Sequence, residues 1–154
     1  MTLRLAGRGL EVRLPAGFEG RIFSRAPPGA AVGRTVAQFA TFPLPVGAGD
    51  FGGGATTLMG PDDIFAVLFE YGPESVGKLL FQRSGMPRRL GPGDFEPYVL
   101  RRGAARQSGT QWFFTERARP WTLYAVLGDH GRREALVARL NLLLGNLEVL
   151  DGQR

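Results

Sequence analysis

The chain has 154 residues, 44% of them hydrophobic, with a formal net charge of +5 and no cysteine. That length and hydrophobic share fit one globular domain able to bury about 70% of its unfolded surface, and they exclude a disordered chain. Without cysteine, neither a disulfide framework nor a thiolate zinc site can form.

The opening stretch MTLRLAGRGLEVRLPAG is interrupted by Arg4, Arg8 and Arg13, so it holds no continuous apolar leader segment. No stretch approaches the roughly 18 apolar residues of a membrane span, and a soluble, cytoplasmic protein is the expectation. Leu3–Leu5 and Leu10–Leu14 read as short strands around a Gly7–Gly9 turn. Pro15-Ala16-Gly17 breaks the pattern, and Phe18–Arg25 resumes it. After the Pro27–Gly33 loop, Thr35–Phe42 alternates as a strand with Val36, Gln38, Ala40 and Phe42 on one side, closed by Pro43 and Pro45.

Gly47–Gly54 contains a literal G-x-G-x-x-G at Gly47, Gly49 and Gly52. A dinucleotide site needs that loop to open onto a helix, and Gly60-Pro61 follows too soon to leave room for one. No lysine follows for a P-loop, and Asp50-Phe51-Gly52 lacks the companions of the kinase metal-binding triplet. The loop therefore reads as surface, with Asp50 and Phe51 as candidate partner contacts. Ile64–Tyr71 reads as a buried strand. Asp62, Asp63 and Glu70 are the acidic residues to weigh for metal or acid–base chemistry, although strand-end carboxylates of this kind cap turns or pair with arginine. Ser75–Phe81 is a short helix or strand. Arg83–Arg106 is irregular, punctuated by glycine and proline, with Met86, Leu90, Phe95, Tyr98 and Leu100 as apolar anchors that pin it across a surface.

The C-terminal unit carries the clearest pattern. Gln111–Glu116 and Trp121–Gly128 form a hairpin with both faces apolar, hence central and covered on both sides, turning at Arg117–Pro120. Asp129 is the N-cap of a helix from Gly131 to Leu144. Leu136, Val137, Leu140, Leu143, Leu144 and Leu147 fill a stripe roughly 120° wide, enough to seat that helix on a sheet. Gly145–Asn146 is a stop signal, and Leu147–Leu150 returns as an edge strand. On the opposite side of the helix Ala135, Ala138 and Leu142 form an apolar back, a second candidate partner contact. His130, the only histidine, sits at the helix start, where the dipole disfavours its cation and a capping or surface role fits better than catalysis.

Of the 19 basic residues only Lys78 is lysine, which together with abundant Gly, Ala and Pro reads as GC-rich coding bias. The arginines are spread along the chain without a run of five. The densest region supplies Arg83, Arg88, Arg89, Arg101, Arg102 and Arg106 as candidate anion contacts, for nucleic acid or another anionic ligand.

The segment WTLYAVLG, with the helix and the closing LNLLLGNLEVL, resembles the small α+β domains of the Mog1/PsbP-like group, and the wider chain is similar to proteins of GC-rich, actinobacteria-like bacteria. That resemblance implies binding rather than turnover: an accessory subunit or interaction module without cofactor, metal or catalytic residues, serving a protein partner or a homo-oligomer. The expectation is one α+β domain over 1–150 with a short tail at 151–154. Its architecture would be a single antiparallel sheet of six or seven strands with the C-terminal helix on one face.

Overall fold

A computed structural model describes residues 3–26, 29, 33–45, 54–97 and 106–151. Among these residues the strands are β1 (Leu3–Gly7), β2 (Leu10–Leu14), β3 (Glu19–Arg25), β4 (Arg34–Ala40), β5 (Ile64–Glu70), β6 (Ser108–Glu116), β7 (Arg119–Leu127) and β8 (Leu147–Val149), and the one α-helix described is α1 (Arg133–Gly145). The fold is α+β, but the single sheet expected from the sequence is two antiparallel sheets. Three strands run in the order β1-β2-β8 and five in the order β3-β4-β5-β7-β6. The division has a local cause. The Pro15 carbonyl accepts from the Phe18 N–H, and Gly17 takes a φ of 87°, so the chain turns out of β2 before β3 begins. The free side of β2 is then taken by β8, with Leu10 opposite Val149 and Val12 opposite Leu147.

Helix and small sheet together cover one face of the large sheet. Leu136, Val137, Leu140, Leu143 and Leu144 pack with Leu10, Val12 and Leu14 of β2. They meet Ala66 and Leu68 of β5 and Trp121, Leu123 and Leu127 of β7. Over residues 83–97 the irregular segment is pinned as expected, through Met86, Leu90 and Phe95 in the same core, while Tyr98 and Leu100 lie outside the described residues. Across the large sheet a second cluster gathers Val36, Ala40, Phe42, Ala55, Phe65, Val67 and Val126. Burial on both faces explains why β5 and β7 read as nearly unbroken apolar runs.

The hairpin differs from expectation in two ways. β7 is interior, but β6 is the edge of the large sheet, not a central strand. The turn is only Arg117 and Ala118, both in the left-handed region (φ 55° and 59°), which suits a tight two-residue hairpin. Arg119 and Pro120 belong to β7. Pro120 fits because it sits opposite Thr115, whose own N–H and C=O point outward to Arg83 and Gly85. No bond of the β6–β7 ladder is lost, and on the β5 side Pro120 accepts from Tyr71 N–H without donating in return. Asp129 does cap, but its carboxylate accepts from Gly131 N–H in a 3-10 turn at His130–Arg132, and α1 starts one residue later.

A buried ion pair joins β5 to β7 within the large sheet, and its arginine also reaches the small sheet. Arg119 donates from Nε to Glu70 Oε2 (2.8 Å) and from Nη2 to Glu70 Oε1 (3.2 Å), and Nη2 also donates to the Arg8 carbonyl in the β1–β2 turn (3.1 Å). Its guanidinium lies 4.5 Å from the centre of the Trp121 ring. Gly9, with a φ of 78°, completes the approach, because a Cβ there would lie 2.4 Å from Arg119 Nη1.

Candidate interaction surface

β5 does not end in a simple turn. Tyr71 N–H still donates to the Pro120 carbonyl (2.8 Å), and then Gly72-Pro73 carries the chain off the end of the sheet. Proline cannot extend the ladder, since it has no N–H. Two 3-10 turns follow, Pro73–Ser75 and Leu79–Phe81, where the sequence pattern suggested one short helix or strand. Gly77, with a φ of 89°, reverses the chain between them. The segment is held by its own backbone: Ser75 N–H donates to Gly72 (2.9 Å), Lys78 N–H to Ser75 (3.1 Å) and Phe81 N–H to Lys78 (2.9 Å).

It is also nailed to the sheet. Phe81 is buried and packs edge-on against Tyr71 (5.2 Å between ring centres) and Phe113 (5.7 Å), while Tyr71 packs edge-on against Phe69 (5.1 Å). Thr115 Oγ1 donates to the Phe81 carbonyl (2.8 Å), and Thr115 N–H donates to the Arg83 carbonyl (2.9 Å), so the returning chain runs beside β6. Burial raises the Tyr71 phenol above its ordinary pKa.

What this frame presents is apolar. Leu79 is 80% exposed, Leu80 58% and Val76 39%. These are three of the six large hydrophobic residues exposed among the described ones, and they fall within five consecutive positions. Scattered exposed leucines need no explanation, but a cluster on a rigid projection does.

The partner contacts suggested by the sequence fare unevenly. Ala135, Ala138 and Leu142 do share the outward side of α1 and are exposed. Asn141 is taken out of that surface, accepting from Leu90 N–H (2.8 Å) and donating to Leu90 C=O (2.9 Å). Asp50 and Phe51 lie outside the described residues, as do Arg101 and Arg102.

The remaining candidate anion contacts do not converge. Arg83 stacks 4.6 Å over Trp112, Arg88 donates to the Gly145 carbonyl at the end of α1, Arg89 is exposed, and Arg106 pairs with Asp129 (2.8 Å) at the other end of the sheet. The Gly131 N–H and, next, the Arg106 guanidinium hold the Asp129 carboxyl below its ordinary pKa.

The acidic trio is likewise dispersed. Asp63 Oδ1 accepts from Thr41 Oγ1 and its Oδ2 from Gly60 N–H, and Asp62 pairs with Arg132. Glu70 lies at the far end of β5 on Arg119. Among the described residues no three His, Asp or Glu side chains come together as metal ligands. Asp62 and Arg132–Leu136 line an open groove of about 670 Å³ at the start of α1. His130, on the capped turn there, donates its N–H to the Arg106 carbonyl.

No family model, curated protein or solved structure matches the chain. No described helix is long and apolar enough to cross a membrane.

In the sequence the 72–82 knuckle shows only as the short helix or strand at Ser75–Phe81, with nothing to say that it projects. Val76, Leu79 and Leu80 stand at i, i+3 and i+4, the spacing of one helical face, but Gly72-Pro73 and Gly77 leave no helix to bury them.

Proposed function

We propose that this chain is a non-catalytic interaction domain, an accessory unit of a larger assembly, whose contact is the 72–82 knuckle. The observation that carries the reading is the display of Leu79 and Leu80 on a projection that is internally hydrogen-bonded and anchored by Phe81. A rigid apolar tip binds without first being ordered, which is where association loses much of its free energy. The likeness of the C-terminal unit to Mog1/PsbP-like domains points the same way, by analogy of fold.

The test compares the chain with its Leu79→Asp/Leu80→Asp variant in the cell that makes it, by cross-linking and by sedimentation of the complexes. Both side chains are mostly exposed, so unfolding should move by no more than about 0.5 kcal/mol, while association is lost. Identical cross-links and identical sedimentation for the two proteins would refute the assignment of the contact.

A further inference from the structure

We propose that the surface covering this knuckle is an anionic lipid bilayer, into which Leu79 and Leu80 dip while Lys78 and Arg83 meet the headgroups. The inference rests on the reading of the knuckle as the contact and names what it touches.

Three observations favour lipid over a protein groove. The first is the tip itself. Protein interfaces concentrate their binding energy in tryptophan, tyrosine and arginine, with leucine under-represented. Here the exposed run Val76–Leu80 holds two leucines, a valine, a glycine and one lysine. The second is shape. Pro73, Glu74 and Val76–Leu80 are all exposed, so the tip projects and offers no recess for a partner side chain. A projecting apolar tip needs a matched cavity in a protein, whereas a bilayer admits it without one. Lys78 can lay its stem along the leucines and keep its ammonium at headgroup level. Tyr71 and Phe113, half-buried at the base, sit where interfacial aromatics belong.

The third is charge. Arg8 in the β1–β2 turn, Arg25 closing β3, Arg34 opening β4, Lys78 and Arg83 stand at the knuckle end of the large sheet. Glu74 and Glu116 oppose them there, and the other described carboxylates at that end pair with arginine, Glu70 with Arg119 and Asp151 with Arg117. At the opposite end Asp62, Asp63 and Asp129 stand among Arg106, Arg132 and Arg133, with no such cationic excess among the described residues. An anionic surface therefore attracts the same end of the molecule that carries the leucines. Each cation held near such a surface strengthens attachment roughly fivefold, and each leucine transferred from water adds roughly tenfold. Two leucines and two or three cations give reversible, salt-sensitive attachment, not permanent insertion.

The experiment is flotation of the full chain with two vesicle preparations, phosphatidylcholine alone and an equimolar mixture with phosphatidylglycerol. The expected result is binding to the mixed vesicles, weaker binding to phosphatidylcholine, and loss as salt is raised. Leu79→Ser/Leu80→Ser should lower binding at least about tenfold, Lys78→Glu several-fold, and Leu142→Ser, on the back of α1, should leave it unchanged. Thermal unfolding of each variant confirms that it is folded.

Absence of binding to the mixed vesicles, or equal binding by the serine double variant, overturns the inference. If the chain ignores both vesicles but a protein complex or self-association still depends on Leu79 and Leu80, the lipid assignment falls and the docking reading stands. If nothing depends on them, both fall.

Discussion

Replacing Arg119 with methionine tests the joint between the two sheets. The guanidinium side chain is 6% exposed and its partner Glu70 8%, so the pair is not a screened surface contact. Methionine keeps most of the stem but removes the charged group that lies over Trp121. Glu70 then loses its bidentate partner in a site with little water, and the Arg8 carbonyl loses a donor. Stripping one member from a buried pair costs about 3–5 kcal/mol, because the remaining charge stays desolvated. For a domain of this size that corresponds to a melting temperature lower by roughly 6–20 °C. Urea unfolding followed by tryptophan fluorescence reads the effect, with Trp121 beneath the altered side chain. The double variant Glu70→Leu/Arg119→Met should recover most of the loss, since removing both ions removes the desolvation cost along with the attraction. The reasoning is refuted if Arg119→Met stays within about 1 kcal/mol of the parent, or if the double variant is less stable than the single.

Asn141→Ala leaves both backbone groups of the buried Leu90 without their partners and should cost about 1–3 kcal/mol. Hydrogen exchange at the Leu90 amide should accelerate, and unchanged protection would contradict the contact. Burial also sets an alkaline limit. Tyr71 and Tyr124 hold their protons more tightly in the folded chain than in the unfolded one, because desolvation disfavours the phenolate. Their folded pKa lies above the unfolded value, so this contribution is complete below about pH 10 and is lost as pH rises through the folded value. Tyrosinate absorbance should therefore show late-titrating phenols that disappear in Tyr71→Phe and Tyr124→Phe, and ordinary titration of both would dismiss the effect.

Much of the element list was legible because its signals are local. Val36, Gln38, Ala40 and Phe42 alternate into one buried side of β4 and its continuation, and the leucines of α1 recur on one stripe. Met86, Leu90 and Phe95 stood out as anchors because an apolar residue between glycines and prolines has little else to do. Partner choice was not legible. Leu147–Val149 pairs with β2, at the other end of the chain, and nothing in either strand names the other. The directions of Arg83, Arg88 and Arg106 were hidden for a related reason, since each is set by what it meets: an indole face, a helix carbonyl and a capping carboxylate. Glu70 and Arg119 did leave a trace. One closes IFAVLFE and the other opens RPWTLYAVL, and a charge bordering so apolar a strand calls for a partner of opposite sign.

Clamp and knuckle share a foundation, and that bears on why the leucines stay outside. Side chains alternate across a strand, so Glu70 turns toward Arg119 on the helix-covered face while its neighbour Tyr71 turns to Phe81 and Phe113 on the other. The last residues of β5 are thus held on both faces, and Tyr71 is further tied to Pro120. From so firm a base the two 3-10 turns hold Leu79 and Leu80 in water, although burying each would gain about 2 kcal/mol. A loose loop would fold such side chains back onto Phe69 or Phe113. The retained exposure is therefore a property of the base that holds it, and it is this exposed apolar area that the contact proposed above would cover.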